Sequence, residues 1–140
     1  MSLKEEDRTT LVTLGIEKSD KMLEEMDWLF ENGSWSLAAN RLYYALFHAV
    51  RSLLICDAHP VGTHRGAVIQ FNQYYIKTGV FDKQDGKLYS RLQQLRDEGD
   101  YNCVVDVDKD DLEDKIAPTK LLIDKIKQYI LNKNNEKLNL

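Results

Sequence analysis

The stretch Ala39-Asn40-Arg41-Leu42-Tyr43-Tyr44-Ala45-Leu46-Phe47-His48-Ala49-Val50-Arg51-Ser52-Leu53-Leu54 decides the fold. Its polar residues Arg41, Tyr44, His48 and Arg51 are spaced three, four and three apart, so in a helix they project within one narrow sector. The rest is apolar: Leu42, Ala45, Leu46, Ala49 and Leu53 on one side, Tyr43, Phe47, Val50 and Leu54 on the next. A helix that is apolar nearly all round is a central one, wrapped by others. Arginine and histidine are costly to bury without partners. The stripe therefore marks either a structural polar network or a wet cleft with a site in it.

Working outward, Leu11, Leu14, Met22, Met26 and Leu29 are interleaved with acids and lysines, which predicts an amphipathic helix from about Lys4 to Asn32, closed at Asn32-Gly33. Ser34 is the predicted N-cap of the central helix, which runs to about Asp57. After a loop from Asp57 to Gly62, Thr63 caps a third helix reaching about Lys77, with Gly79 as its stop. A fourth helix from about Asp82 buries Leu88, Leu92 and Leu95 and ends at Gly99. Asp108, with Asp111 three residues later, opens a fifth helix toward Asn132, in which Pro118 should introduce a kink. The polar tail 132–140 is expected to fray, leaving one domain over residues 1–131. Few Gly and Pro and no alternating runs complete the case for an all-α bundle of about five helices.

Several function classes drop out. The 140 residues suffice for one sizeable core but not for two domains. Residues 1–10 are charged and lack the apolar centre of a secretion signal, and the longest apolar run, Ala45 to Cys56, is interrupted by His48 and Arg51, so no membrane span is expected. Cys56 and Cys103 lack metal or redox spacing and read as reduced core thiols, which points to the cytoplasm. The acidic run Asp106, Asp108, Asp110 and Asp111 lacks the glycine and closing glutamate of a calcium loop and is read as helix-capping acids. There is no phosphate loop and no nucleophile elbow. Neither a metal nor a cofactor is expected.

The net charge of −4 conceals a gradient. Residues 1–37 carry −5, residues 38–96 carry +5 and residues 97–140 carry −4. The basic middle also holds all three histidines and five of the six arginines: Arg41, Arg51, Arg65, Arg91 and Arg96. A guanidinium donates two parallel hydrogen bonds and suits phosphate. Uneven charge over solvated helix faces is the plainer explanation.

The central block, together with Thr63-His64-Arg65-Gly66, Phe71 to Gly79, and Leu95-Arg96-Asp97-Glu98-Gly99-Asp100-Tyr101, resembles the HEPN domain, and more narrowly the small stand-alone prokaryotic HEPN proteins encoded beside a minimal nucleotidyltransferase. The likeness covers about residues 4–131. It implies a helical bundle pairing as a symmetric homodimer, with an RNA-directed cleft at the seam. In catalytic relatives that cleft carries an Arg, a polar residue and a His four to six residues from the Arg, making them metal-independent ribonucleases.

This chain departs from that pattern. Counted from Arg96, the histidine position falls on Tyr101, Asn102 or Cys103. Metal-free RNA cleavage needs a base for the 2′-hydroxyl and an acid for the leaving oxygen, work suited to an imidazole and poorly served by a phenol of ordinary pKa about 10. Arg96, Tyr101 and His48 are the candidate catalytic residues; Arg41, Tyr44, Arg51, His64, Arg65, Arg96 and Asp97 are the candidate contacts for RNA or a nucleotide. Each has a structural alternative: a satisfied core histidine at His48, an ion pair at Arg96, core packing for the paired tyrosines Tyr43-Tyr44 and Tyr74-Tyr75. Three functions stay open: a binding module, as the toxin-like half of a pair with a nucleotidyltransferase; a ribonuclease with a non-standard acid/base; or a protein-interaction module. Tyr101 is also placed where some relatives accept a nucleotidyl group.

Overall fold

The computed structural model describes residues 4–101 and 107–138, without the side chains of residues 98–101 and 137–138. Five helices follow one another: α1 (Glu5–Glu31), α2 (Trp35–Cys56), α3 (His64–Phe71), α4 (Lys83–Tyr101) and α5 (Lys109–Leu138), with α3 running into one π-helical turn, Asn72–Ile76. No helix among the described residues is long and apolar enough to cross a membrane.

Helix α2 is the axis of the bundle. It packs along α1 and against α4 and α5, and from Ala38 to Cys56 only Asn40, Arg41, Tyr44, His48 and Arg51 escape full burial. The polar stripe is thus the one open line on an otherwise enclosed helix. The α1–α2 seam is close because small residues line it. A Cβ on Gly15 would stand 2.0 Å from the Ser52 hydroxyl, which itself donates to the Val12 carbonyl at 3.0 Å, while the buried Ser19 hydroxyl donates to the Ala45 carbonyl at 2.7 Å. Each hydroxyl takes a backbone acceptor in the facing helix, so burying it leaves no orphaned polar atom. Helix α5 runs antiparallel to α1, with ion pairs Lys120 to Asp27 at 2.8 Å and Lys127 to Asp20 at 2.5 Å.

Several helix ends differ from the sequence expectation. Val12, Ser19 and Met26, seven apart, form the buried line of α1, whereas Leu11 and Leu14 are 39% and 55% exposed; the serine replaces an apolar residue on the inner face and shifts the apparent phase. Ser34 makes no side-chain cap; Gly33, at φ 79°, ends α1 with Ser34 N–H donating to the Leu29 carbonyl at 2.9 Å. Thr63 does cap α3, accepting from Gly66 N–H at 2.9 Å. Helix α4 continues through Gly99 to Tyr101, and α5 continues through the exposed Pro118 to Leu138, so residues 132–138 are helical. Proline removes one helical N–H but does not end a helix held by its neighbours on both sides. At the start of α5, Asp108 and Asp111 cap each other's backbone reciprocally, at 3.1 and 3.3 Å.

The far end of α2 is tied down by a carboxylate. Asp57 Oδ2 accepts from the hydroxyls of Tyr75 and Tyr129, each at 2.7 Å, joining α2, the π turn and α5. Burial and this shared carboxylate push both phenols well above their ordinary pKa. Ala58, at φ 60°, adopts the left-handed conformation that turns the chain out of α2.

Candidate functional site

Tyr44 is the centre of a cluster built from three helices. On α4, Arg96 donates from Nη1 to the Tyr44 hydroxyl at 3.0 Å and from Nε and Nη2 to Asp97 Oδ1 at 3.1 and 2.7 Å. Its guanidinium also lies over the Tyr43 ring, 4.8 Å from the centroid, and 5.7 Å from that of Tyr44. The α3 N-terminus brings His64 to the same place: its Nδ1 is 3.0 Å from the Tyr43 hydroxyl, the tautomer deciding which group donates. The His64 ring stacks on Phe47 at 4.1 Å and stands edge-on to Tyr44 at 5.4 Å. His48, one turn along α2, lies 6.2 Å from Tyr44 and 5.3 Å from Phe47.

The electrostatics follow from this packing. Burial opposes the charge of Arg96, but hydrogen bonds to Asp97 and Tyr44 outweigh that and hold its pKa above the ordinary value, so it is a permanent cation. His48 is pushed down to about 4, first by burial and then by Lys18, Arg51 and His64. Burial and Arg96 also lower His64. Tyr43 is pushed up to about 12 by burial, which Arg96 only partly offsets. Among the described residues the cluster holds one fixed cation, one carboxylate and two uncharged imidazoles at neutral pH, the half-exposed Tyr44 among them.

Asp97 is the more solvent-facing member of the pair. Its side chain is 48% exposed, against 11% for Arg96, so the arginine is fixed while its counter-ion can turn toward water. An incoming phosphate would compete with Asp97 for the Nε and Nη2 edge, the geometry a guanidinium presents to oxyanions.

Tyr44, His48, His64, Arg96 and Asp97 thus come together. Arg41 does not join them: its Nε donates to Glu25 of α1 at 2.8 Å and its Nη1 to Asn40 at 2.6 Å. Arg51 is exposed in a groove with Lys18 and His48 on the α1 side, and Arg65 is exposed on α3. Tyr101 closes α4 with its side chain outside the described residues, and Asn102, Cys103 and Asp106 lie outside them altogether. Tyr43 and Phe47 were assigned to the apolar side, yet they orient His64. A buried phenol usually takes a hydrogen-bond partner, and that tendency was the available signal.

The sequence profile of the HEPN domain matches residues 13–129. The chain belongs to the HEPN domain family. A UPF0332 protein of Thermotoga maritima is 32% identical to it over 81% of this chain and 86% of its own length. Another UPF0332 protein, from Archaeoglobus fulgidus, is 31% identical over 86% of this chain and 95% of its own. A Methanocaldococcus jannaschii protein named "putative toxin" is 27% identical over 85% of this chain and 81% of its own. All five helices of this HEPN protein lie wholly or largely within the matched span, and so do Tyr44, His48, His64, Arg96 and Asp97.

Proposed function

We propose that this HEPN protein binds RNA or a nucleotide through the Arg96 cluster, as a homodimer and as the toxin-like half of a pair with a minimal nucleotidyltransferase. The observation that carries the reading is the Arg96 guanidinium, held by Tyr44 from a helix 52 residues away in the chain, with a half-exposed carboxylate on its Nε and Nη2 edge. Aromatic rings beside it supply surfaces for a base. A jannaschii relative named "putative toxin" agrees with the toxin-like role.

Opposite changes at two neighbouring residues test the site. Arg96→Ala weakens binding of single-stranded RNA and flattens its salt dependence, while Asp97→Asn, which removes the competitor and keeps the shape, strengthens it. If both variants bind as wild type does, the cluster is structural. Light scattering at micromolar concentration tests the dimer, and a 16.3 kDa species would refute it.

Metal-independent cleavage is weak in the native chain, since Arg96 can stabilise a phosphorane but cannot transfer protons. Tyr101→His is expected to raise cleavage by roughly 10²-fold or more, the contribution of general acid–base catalysis. The second reading, a ribonuclease using His64 as base, draws on that imidazole being uncharged and fixed by Tyr43. Strong wild-type cleavage that disappears in His64→Ala would establish it. Mass spectrometry after co-expression with a neighbouring nucleotidyltransferase would show whether Tyr101 is modified.

A further inference from the structure

The outer face of α4 carries a second cationic feature, turned away from Tyr44. Lys83, Lys87 and Arg91 recur every four residues, so they form one stripe, and Arg96 lies nine residues from Lys87, half a turn round the helix. All three are exposed, and among the described residues none has an acidic partner; Lys4, Lys21 and Lys133 likewise have none, so what sets these three apart is their alignment on one helix face. A groove of about 390 Å³ runs beside the stripe, its remaining wall formed by Asn72, Ser90 and Gln94. Asn72 reaches it because Gly86 lets the π turn approach: a Cβ there would stand 2.6 Å from Asn72 Oδ1.

We infer that this groove binds the phosphodiester backbone of a single nucleic-acid strand, independently of base identity. Three cations without an acidic partner among the described residues, two carboxamides and a hydroxyl are donors for phosphate oxygens. Among the described residues the groove has no aromatic side chain to stack a base and no apolar side chain to form the desolvated centre of a protein interface. Nucleic-acid interfaces, by contrast, are polar and strongly cationic. From Lys83 to Arg91 the helix rises about 12 Å, enough to meet about three phosphates of a stacked strand advancing roughly 3.4 Å per nucleotide. The inference shares its ligand class with the proposed function but does not use Arg96.

The test is anisotropy titration of a labelled single-stranded RNA, and of the DNA of the same sequence, from about 50 to 200 mM salt. The triple variant Lys83→Gln, Lys87→Gln, Arg91→Gln should lower the log–log salt slope by about 2 with both strands, at about 0.7 per phosphate contact. A control, Lys4→Gln, Lys21→Gln, Lys133→Gln, removes equal charge elsewhere and should leave the slope unchanged. An equal drop in the control, no drop in the groove variant, or no binding by wild type overturns the inference. So does competition by polyglutamate as effective as that by unlabelled RNA, which would make the groove a dock for acidic protein. Loss in Arg96→Ala alone supports the Tyr44 site and refutes the groove; loss in the triple variant alone does the reverse.

Discussion

Two junctions on α2 join tyrosine to charge, and they are built differently. At its C-terminal end Asp57 takes two phenols from two other elements onto one oxygen. Midway along, Arg96 donates to one phenol, shares its other edge with a half-exposed carboxylate, and has the uncharged imidazole of His64 beside it. The first junction spends its hydrogen bonds on protein and closes. The second keeps its carboxylate half-exposed. In the proposed function the first junction serves cohesion and the second a binding surface, and the difference lies in exposure: the Asp57 oxygen is covered by two phenols, whereas the carboxylate beside Arg96 is half-exposed.

Stability measurements can break this contrast. Asp57→Ala is expected to cost about 3 kcal/mol, two hydrogen bonds to a charged acceptor, and to lower Tm by about 10 °C. Arg96→Ala should cost no more than about half of that. Equal losses in thermal melts would make both junctions structural.

Acid sharpens the contrast from the other side. His48 titrates near 6.5 when unfolded and at about 4 when folded, and His64 is shifted in the same direction. The unfolded chain therefore takes up protons first. Stability is fully present above pH 6.5 and falls as pH drops toward about 4. Tm followed across that window should decline less steeply in His48→Gln, and an unchanged decline would show that His48 is not desolvated in the fold.

Tyr44→Phe removes only the hydroxyl that fixes Arg96. It should cost about 1 kcal/mol or less in a urea melt while loosening nucleic-acid binding; a larger loss would place Tyr44 with the Asp57 type of junction. The smallest change expected is at Ala58, beside the closed junction. Ala58→Gly relieves its φ of 60°, and should add about 0.5 kcal/mol after the entropy of the unfolded glycine is counted. Destabilisation instead would mean that the Ala58 methyl supports the turn.

Much of this was legible in the chain. The 3-4-3 spacing of Arg41, Tyr44, His48 and Arg51 identified both the central helix and its open line, because helical period and burial are local consequences of residue order. Asp108 and Asp111 announced the start of α5 for the same reason. The buried line of α1 was misread where Ser19 and Gly15 serve the core, since a serine bonded to the facing backbone and a glycine admitting close approach carry no hydrophobic signal.

The amino-acid order alone thus determined the all-α class, the central helix and the polar stripe. Only the tertiary structure decided which stripe residues act together. It sent Arg41 to Glu25 and brought Arg96 to Tyr44, because the choice of partner depends on how helices distant in the chain cross and which side chains then come within hydrogen-bonding reach. Spacing along one helix fixes a direction in space, but the group waiting in that direction belongs to another helix.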